Sequence, residues 1–152
     1  MALRTLVALP GILAIGLAQS APTPPVTLAV HLLAACSSQG SGRPVRFSGG
    51  DAPLCLARAP FLTERDVQSA ELRRNSQGRP VIFLTFHEDA AIRELEITRQ
   101  NIGNRVGILV NGRAAAAPMI AAASRFLYLD AGYTASQAQA LVAAFNRQAG
   151  NR

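Results

Sequence analysis

Lysine is absent from this chain of 152 residues, and aromatic side chains are few. All 15 basic residues are arginines, and the aromatic residues are six phenylalanines and two tyrosines. Nucleic-acid binding requires clustered basic residues beside aromatic platforms, whereas these arginines are spread along the chain. The net charge of +6 therefore indicates a solvated basic surface, and we predict no nucleic-acid partner. Attraction to anionic lipid headgroups is unspecific, so we expect at most peripheral membrane contact.

The patterns that mark enzymes and metal sites are also missing. The two cysteines cannot complete a zinc site of four ligands, and no Gly-x-Ser-x-Gly nucleophile motif occurs. His31 lies in an apolar run, where we predict a half-buried histidine whose hydrogen bonds are satisfied. His87 precedes Glu88 and Asp89, but consecutive helical residues do not share a face, and no histidine follows four residues later. We therefore predict a protein that is not an enzyme, with no cofactor and no bound metal.

The first apolar run has the organisation of a secretory signal peptide. Arg4 lies in a short basic start, residues 6–18 are apolar, and Ala18-Gln19-Ser20 places small residues before a cleavage point. The run is shorter than the roughly 20 residues that a membrane span needs. We predict a signal peptide over residues 1–20 that is cleaved after Ser20, and a periplasmic or otherwise exported product. An uncleaved anchor is the alternative.

Cys36 and Cys55 form an even pair, which in an oxidising compartment favours a disulfide. The bond would close a Gly/Ser-rich loop and contribute about 3 kcal/mol on the chain-entropy estimate; two free thiols are the alternative. The sequence Leu33-Ala34-Ala35-Cys36 also resembles a bacterial lipobox, whose cysteine is lipidated. A lipoprotein anchored through Cys36 is therefore a second possibility for localisation, although its leader would contain Pro22, Pro24, Pro25 and His31.

The hydrophobic pattern predicts a mixture of strands and helices. After a linker over residues 21–25, we predict an N-terminal strand pair with its Gly/Ser loop over residues 26–59. The remaining elements are a helix over Glu64–Ser69 capped by Thr63, strands over 70–75, 79–86, 106–110 and 124–132, and helices over 87–103 and 134–148. The apolar face of the helix over 87–103 is predicted to contain Ala91, Ile92, Leu95, Thr98, Arg99 and Ile102.

Strands outnumber helices in this order, and a hairpin separates the two longer helices. Asn111-Gly112 between apolar runs is a strong signal for a type I′ turn, although the alanines that follow are poor strand residues. The order favours an α+β fold, a ferredoxin-like sandwich in which a mostly antiparallel sheet carries two helices on one face. We expect the alanine strand to be small because something packs closely on it.

Four stretches in order resemble one protein family. They are PFLTERDVQSAEL, PVIFLTF with the later TRQNIG, VGILVNGRAAAAPMI and LDAGYTASQAQALVAAF. Together they are similar to the head subdomain of the first periplasmic domain of SecD, a component of bacterial protein export. We assign this SecD-head-like domain to residues 60–149. The transmembrane helices on which the proton-coupled work of that family depends have no counterpart here.

The resemblance implies a non-enzymatic, exported accessory in protein translocation. Its partners would be unfolded polypeptide or components of the Sec translocon, and the hairpin would supply the contact. The residues expected to touch polypeptide are Asn111, Gly112, Arg113, Pro118 and Met119. The alternative is a periplasmic module that binds a protein or peptide and has no role in export.

Overall fold

A computed structural model describes residues 24–36, 42–50 and 52–151. The predicted signal peptide, the start of the linker and the middle of the Gly/Ser loop lie outside these residues. The described strands are β1 (Leu28–Leu32), β2 (Arg43–Val45), β3 (Leu54–Leu56), β4 (Leu62–Thr63), β5 (Val67–Arg74), β6 (Pro80–Phe86), β7 (Val106–Val110), β8 (Arg113–Ala116) and β9 (Phe126–Leu129). The described α-helices are α1 (Glu88–Gln100) and α2 (Ala135–Gly150).

The strands divide between two sheets and a small ribbon, all antiparallel. One sheet has the order β4-β1-β7-β8, a second has the order β5-β6-β9, and β2 pairs with β3. The predicted α+β class is confirmed, but two main sheets replace the single sheet that we expected. We did not predict this division because β1 pairs along its whole length with β7. The two strands are far apart in sequence, and no local pattern specifies such a pairing.

One hydrophobic core joins both sheets and both helices. Its largest fully buried side chains include Leu28 of β1, Ile82 of β6 and Phe145 of α2. The helix α1 contributes mainly small residues, Ala90 and Ala91, and small side chains allow a helix to pack closely on a sheet. The interior is therefore built from alternate residues of the strands and one face of each helix.

The buried face of α1 differs from our prediction. Ile92 is 52% exposed and Ile102 is 55% exposed, whereas Glu94 is only 3% exposed. Ala91 and Thr98 are buried as expected. The predicted face placed the largest apolar side chains inside, and the helix is instead rotated so that alanines and a carboxylic acid face the core.

The segment before β5 also differs from the predicted helix over Glu64–Ser69. Thr63 does cap a helical turn, and its side chain and that of Asp66 form a reciprocal capping box. However, only a 3₁₀ turn over Glu64–Asp66 follows, and β5 begins at Val67. The turn ends early because Val67 is extended and pairs with Phe86 of β6.

The N-terminal ribbon is attached to the sheet of β1 by a disulfide. Cys36 and Cys55 are bonded, with their Cα atoms 5.3 Å apart, which confirms the predicted pairing. The end of β1 also lies beside β3, because Ala34 N–H donates to the Cys55 carbonyl at 2.8 Å. The ribbon covers β7 at Gly107, where an added Cβ would lie 2.3 Å from a methyl group of Leu56.

His31 lies under this ribbon and is satisfied by it. The side chain is buried, and its Nδ1 lies 2.7 Å from the Ala57 carbonyl oxygen, to which it donates when protonated. The predicted structural histidine is confirmed in its hydrogen bonding. Burial is deeper than the predicted half-burial because the ribbon packs over this side of the sheet.

The helix α2 closes the outer edge of β5. The side-chain oxygen of Asn146 accepts a hydrogen bond from Ala70 N–H at 2.8 Å, and its amide nitrogen donates to the Ala70 carbonyl at 2.9 Å. A side chain thus takes the place of a further strand, which is one way in which an exposed sheet edge is protected. Thr134 begins α2 with a capping box to Gln137.

The described helices are too short or too polar to cross a lipid bilayer.

Candidate functional site

The predicted hairpin forms, and its turn is fixed by the segment that precedes β1. Asn111 and Gly112 have φ angles of 51° and 72°, as a type I′ turn requires. The Asn111 side-chain oxygen accepts from Thr27 N–H at 3.0 Å, and Asn111 N–H donates to the Thr27 carbonyl at 3.0 Å. Asn111 therefore has a structural task, since it ties the turn to the start of the folded chain.

The strand β8 lies at an edge of the four-stranded sheet. It pairs with β7 on one side, with a register shift between Ile108 and Leu109, and it has no strand partner on its other side among the described residues. Unpaired backbone groups at such an edge can add a strand from another chain. The alanines of β8 are half-buried, and Ala115 and Ala116 pack against the shared core.

Two open cavities lie at the ends of β8. A cavity of about 540 Å³ is bordered by Arg113, Ala114 and Tyr133. At the other end of β8, a cavity of about 310 Å³ is bordered by Phe47, Arg105 and Ala116. Tyr133 lines the first cavity, and partial burial raises the pKa of its hydroxyl.

The five residues expected to touch polypeptide do not form a single pocket. Asn111, Gly112 and Arg113 lie at the turn, whereas Pro118 and Met119 lie beyond the far end of β8. There the Pro118 carbonyl accepts from Val106 N–H at 3.1 Å, and Met119 is 59% exposed. The strand β8 separates the two groups, so the arrangement suits an extended ligand along the edge better than a compact one.

A second exposed feature, the cluster that we call the aromatic face, was missed by the sequence analysis. It consists of Phe83, Phe126, Tyr128 and Arg73, on the side of the β5-β6-β9 sheet away from the core. The Phe83 ring centroid lies 5.1 Å from that of Phe126 and 4.9 Å from that of Tyr128. The alternation in Phe126-Leu127-Tyr128-Leu129 places both aromatics on the same side of β9, and this pattern could have revealed the cluster.

A buried acid, Glu94, was also missed. Its Oε2 has no hydrogen-bond partner among the described residues, and burial raises the pKa of the Glu94 carboxyl to about 8. The acid is therefore mostly protonated at neutral pH. No pattern in the sequence separates this glutamate from Glu88 or Glu96 on the same helix.

His87, Glu88 and Asp89 lie at the start of α1 and are exposed. His87 occupies the N-cap position without a hydrogen bond from its side chain to the helix. The two acids complement the positive end of the helix dipole. Within the described parts of the chain no cluster of three or more potential metal ligands is present.

Comparison with known families accounts for most of this architecture. The model described as SecDF, P1 head subdomain, matches residues 42–149. The chain belongs to this family. The matched residues of the head subdomain include the hairpin, the aromatic face and both helices, whereas β1 precedes them and still occupies the middle of a sheet.

Curated relatives of this SecDF head subdomain are protein translocase subunits. SecDF of Thermus thermophilus is 43% identical over 61 residues, which are 40% of this chain and 8% of that protein. SecD of Acidaminococcus fermentans is 32% identical over 59 residues, which are 39% of this chain and 14% of that protein. The similar segments therefore span only a small part of the length of these relatives.

Two solved structures share the fold. One, described as a membrane component SecDF that enhances protein export, gives a TM-score of 0.60 at 21% sequence identity and covers 80% of this chain and 62% of the solved chain. The other, SecDF in a super-membrane-facing form, gives a TM-score of 0.63 at 22% identity and covers 80% of this chain and 18% of the solved chain.

Proposed function

We propose that this chain acts in protein export as an accessory that contacts translocating polypeptide or the Sec translocon. The observation that carries the proposal is its membership of the SecDF P1 head family over residues 42–149. The role that we propose is binding, because the relatives of the chain are described as protein translocase subunits. The partners are unfolded polypeptide or translocon components.

The free edge of β8 supports binding of an extended polypeptide. A client segment would pair with the outer backbone groups between Arg113 and Ala116, while Met119 and Pro118 offer apolar contact beyond the strand. Backbone pairing recognises any sequence that can be extended, which suits a protein that must handle many clients. Arg113 would favour clients with acidic residues near one end of the bound segment.

The place of action is the periplasm or its equivalent. The disulfide supports an oxidising compartment, and the proposed leader is removed after Ser20. Lipid attachment at Cys36 is the less favoured alternative for two reasons. Processing before Cys36 would remove β1, which contributes Leu28 and Val30 to the core, and the cysteine is already bonded to Cys55.

Site-specific photo-crosslinking tests the contact. A photoreactive amino acid would replace Arg113 or Met119 in the exported chain, and Gln77 in the exposed β5–β6 turn would serve as the matched control. In cells with a secretory protein arrested during translocation, we expect adducts with the arrested protein or the translocon from the first two positions and not from Gln77. Equal yields from all three positions, or none, would contradict the proposal.

A periplasmic peptide-binding module without a role in export is the second candidate, and the β8 edge is compatible with it. Secretion kinetics after deletion of the gene distinguish the two. Export predicts slower maturation of secreted proteins that is restored by the wild-type gene. Unchanged kinetics together with crosslinks to folded periplasmic proteins would favour the second candidate.

A further inference from the structure

The cavity of about 540 Å³ at the turn end of β8 is bordered by three parts of the chain that are distant in sequence. The hairpin supplies Arg113, the segment before α2 supplies Tyr133, and α2 supplies Leu141. Ser48, between β2 and β3, also borders the cavity. Ligand pockets typically measure about 300–1,000 Å³, so this cavity has room for a side chain of a bound polypeptide.

The register of the hairpin directs Arg113 toward this cavity. Arg113 lies opposite Val110 in the pairing of β7 with β8, and opposite residues of an antiparallel pair project from the same face of the sheet. Val110 belongs to the shared core, and both Tyr133 and Leu141 pack against that core. The Arg113 side chain therefore leaves β8 on the face where Tyr133 and Leu141 lie.

The hydrogen-bond donors of the cavity have no acceptor in the described part of the protein. Within those residues, the Arg113 guanidinium makes no ion pair and no side-chain hydrogen bond, and the partly buried Tyr133 hydroxyl has no hydrogen-bond partner. Among the described residues that border the cavity, none is an aspartate or a glutamate. Asp130, three residues before Tyr133, accepts instead from Asn75 and Arg79.

A carboxylate complements this set of groups. A guanidinium can only donate hydrogen bonds, a phenol can donate one, and a carboxylate accepts from both. The walls formed by Val110, Ala131 and Leu141 are apolar and suit the methylene groups of an acidic side chain. We propose that the cavity binds a carboxylate of the polypeptide that pairs with β8, from an aspartate or glutamate side chain or from a C-terminus. The inference rests on the proposed pairing of polypeptide with β8 and adds a chemical preference to it.

A strand added to β8 would carry the acidic residue at a defined position. The residue opposite Arg113 would project from the same face as Arg113, with the two Cβ atoms about 5 Å apart. Its two neighbours in the added strand would project from the other face. One acidic residue is therefore enough for the cavity, and the rest of the bound segment keeps the freedom that backbone pairing allows.

Peptide binding by the purified exported chain tests the proposal. Short peptides of alternating threonine and valine, each with an N-terminal fluorophore, would be compared by fluorescence anisotropy. One has a central glutamate and an amidated C-terminus, one a central glutamine and a free C-terminal carboxylate, and two amidated peptides have a central glutamine or lysine. A peptide with a carboxylate should bind at least about tenfold more tightly than the neutral peptide, and salt should reduce this preference. The first two peptides distinguish the two sources of carboxylate.

Variants of the cavity should change the preference for the carboxylate. Arg113→Gln should bind acidic and neutral peptides with affinities within about twofold of each other, because the charged donor is lost. Tyr133→Phe keeps the packed ring and should reduce the preference by about threefold. Arg58→Gln is the matched control, since Arg58 is exposed and lies outside both cavities of β8, and it should keep the full preference. Circular dichroism and thermal unfolding would show that each variant is folded.

The outcomes separate this inference from the proposed function. Equal affinities of the wild type for acidic and neutral peptides would overturn the carboxylate pocket and leave the pairing with β8 in place. Absence of binding by every peptide would overturn both. Tightest binding of the lysine peptide, or an equal loss of preference in Arg58→Gln and Arg113→Gln, would also overturn the carboxylate pocket.

Discussion

Stability that falls as pH rises is the expected consequence of Glu94. The pKa of this buried carboxyl is raised from 4.5 to about 8, because burial disfavours the charged form. Below pH 4.5 the acid is protonated in both the folded and the unfolded chain, and it has no pH-dependent effect. Between pH 4.5 and 8 the unfolded chain releases the proton and the folded chain keeps it, so rising pH stabilises the unfolded state relative to the folded state.

The size of the effect follows from the two pKa values. Each step of one in pKa corresponds to about 1.4 kcal/mol, so the free energy of unfolding should fall by about 5 kcal/mol across this range and level off above pH 8. Glu94→Gln removes the ionisation and keeps the shape of the side chain. The advantage of the variant over the wild type should be near zero at pH 4 and should grow to several kcal/mol at pH 8.

Urea denaturation followed by far-ultraviolet circular dichroism provides the measurement, since the chain lacks tryptophan. Glu88→Gln, which replaces an exposed acid on the same helix, is the control and should keep the wild-type pH dependence. If the free energies of Glu94→Gln and wild type run parallel from pH 4.5 to 8, with unchanged denaturant slopes, the reasoning about Glu94 is wrong. Glu94→Met should stabilise the protein at pH 7, because it removes a buried oxygen that has no partner.

Three further predictions concern packing and the edges of the sheets. Asn146→Ala should lower the free energy of unfolding by about 1–3 kcal/mol, because the N–H and carbonyl of Ala70 lose their partners. An equal effect of Gln139→Ala, on the exposed side of α2, would contradict this reasoning. Gly107→Ala should lower the free energy of unfolding by about 1–3 kcal/mol through its clash with Leu56. In the Gly107→Ala/Leu56→Ala double variant the two losses of stability should be clearly less than additive. Strict additivity would count against the clash. Reduction of the disulfide should lower the free energy of unfolding by about 3 kcal/mol, as measured by urea denaturation with and without a thiol reductant, and no change would show that the bond does not restrict the unfolded chain.

Local signals in the sequence predicted the elements well. The cap at Thr63 depends on Asp66, three residues later, and the hairpin depends on the adjacent pair Asn111-Gly112. Such signals involve neighbouring atoms, so they remain valid whatever the rest of the chain does. The α+β class followed from the number and order of these elements.

The assembly of the elements could not be predicted in the same way. The insertion of β1 between β4 and β7 depends on partners that are distant in sequence. The rotation of α1, which exposes Ile92 and buries Glu94, depends on how closely Ala90 and Ala91 approach the sheet. Hydrophobic periodicity assumes that each carboxylate faces water, and Glu94 breaks that assumption.

The candidate site was predicted in part. The hairpin residues were identified from the sequence. The hydrogen bond from Thr27 to Asn111 and the position of Met119 at the opposite end of β8 depend on the folded chain and could not be predicted. The aromatic face combines residues of three strands, and its recognition requires the register between β5, β6 and β9. Side-chain alternation within β9 was the only part of it visible in the sequence.

The position of β1 has a consequence for the order in which the chain can fold. When the chain emerges with its N-terminus first, β1 appears early. Its residue Leu28 pairs with Val110 of β7, which emerges much later. The disulfide partner Cys55 arrives sooner and can close its loop first. Until β7 emerges, β1 can pair only with the two residues of β4 on one side, and its other edge stays unpaired. The four-stranded sheet should therefore stay incomplete while most of the chain emerges, and its completion should be a late event in folding.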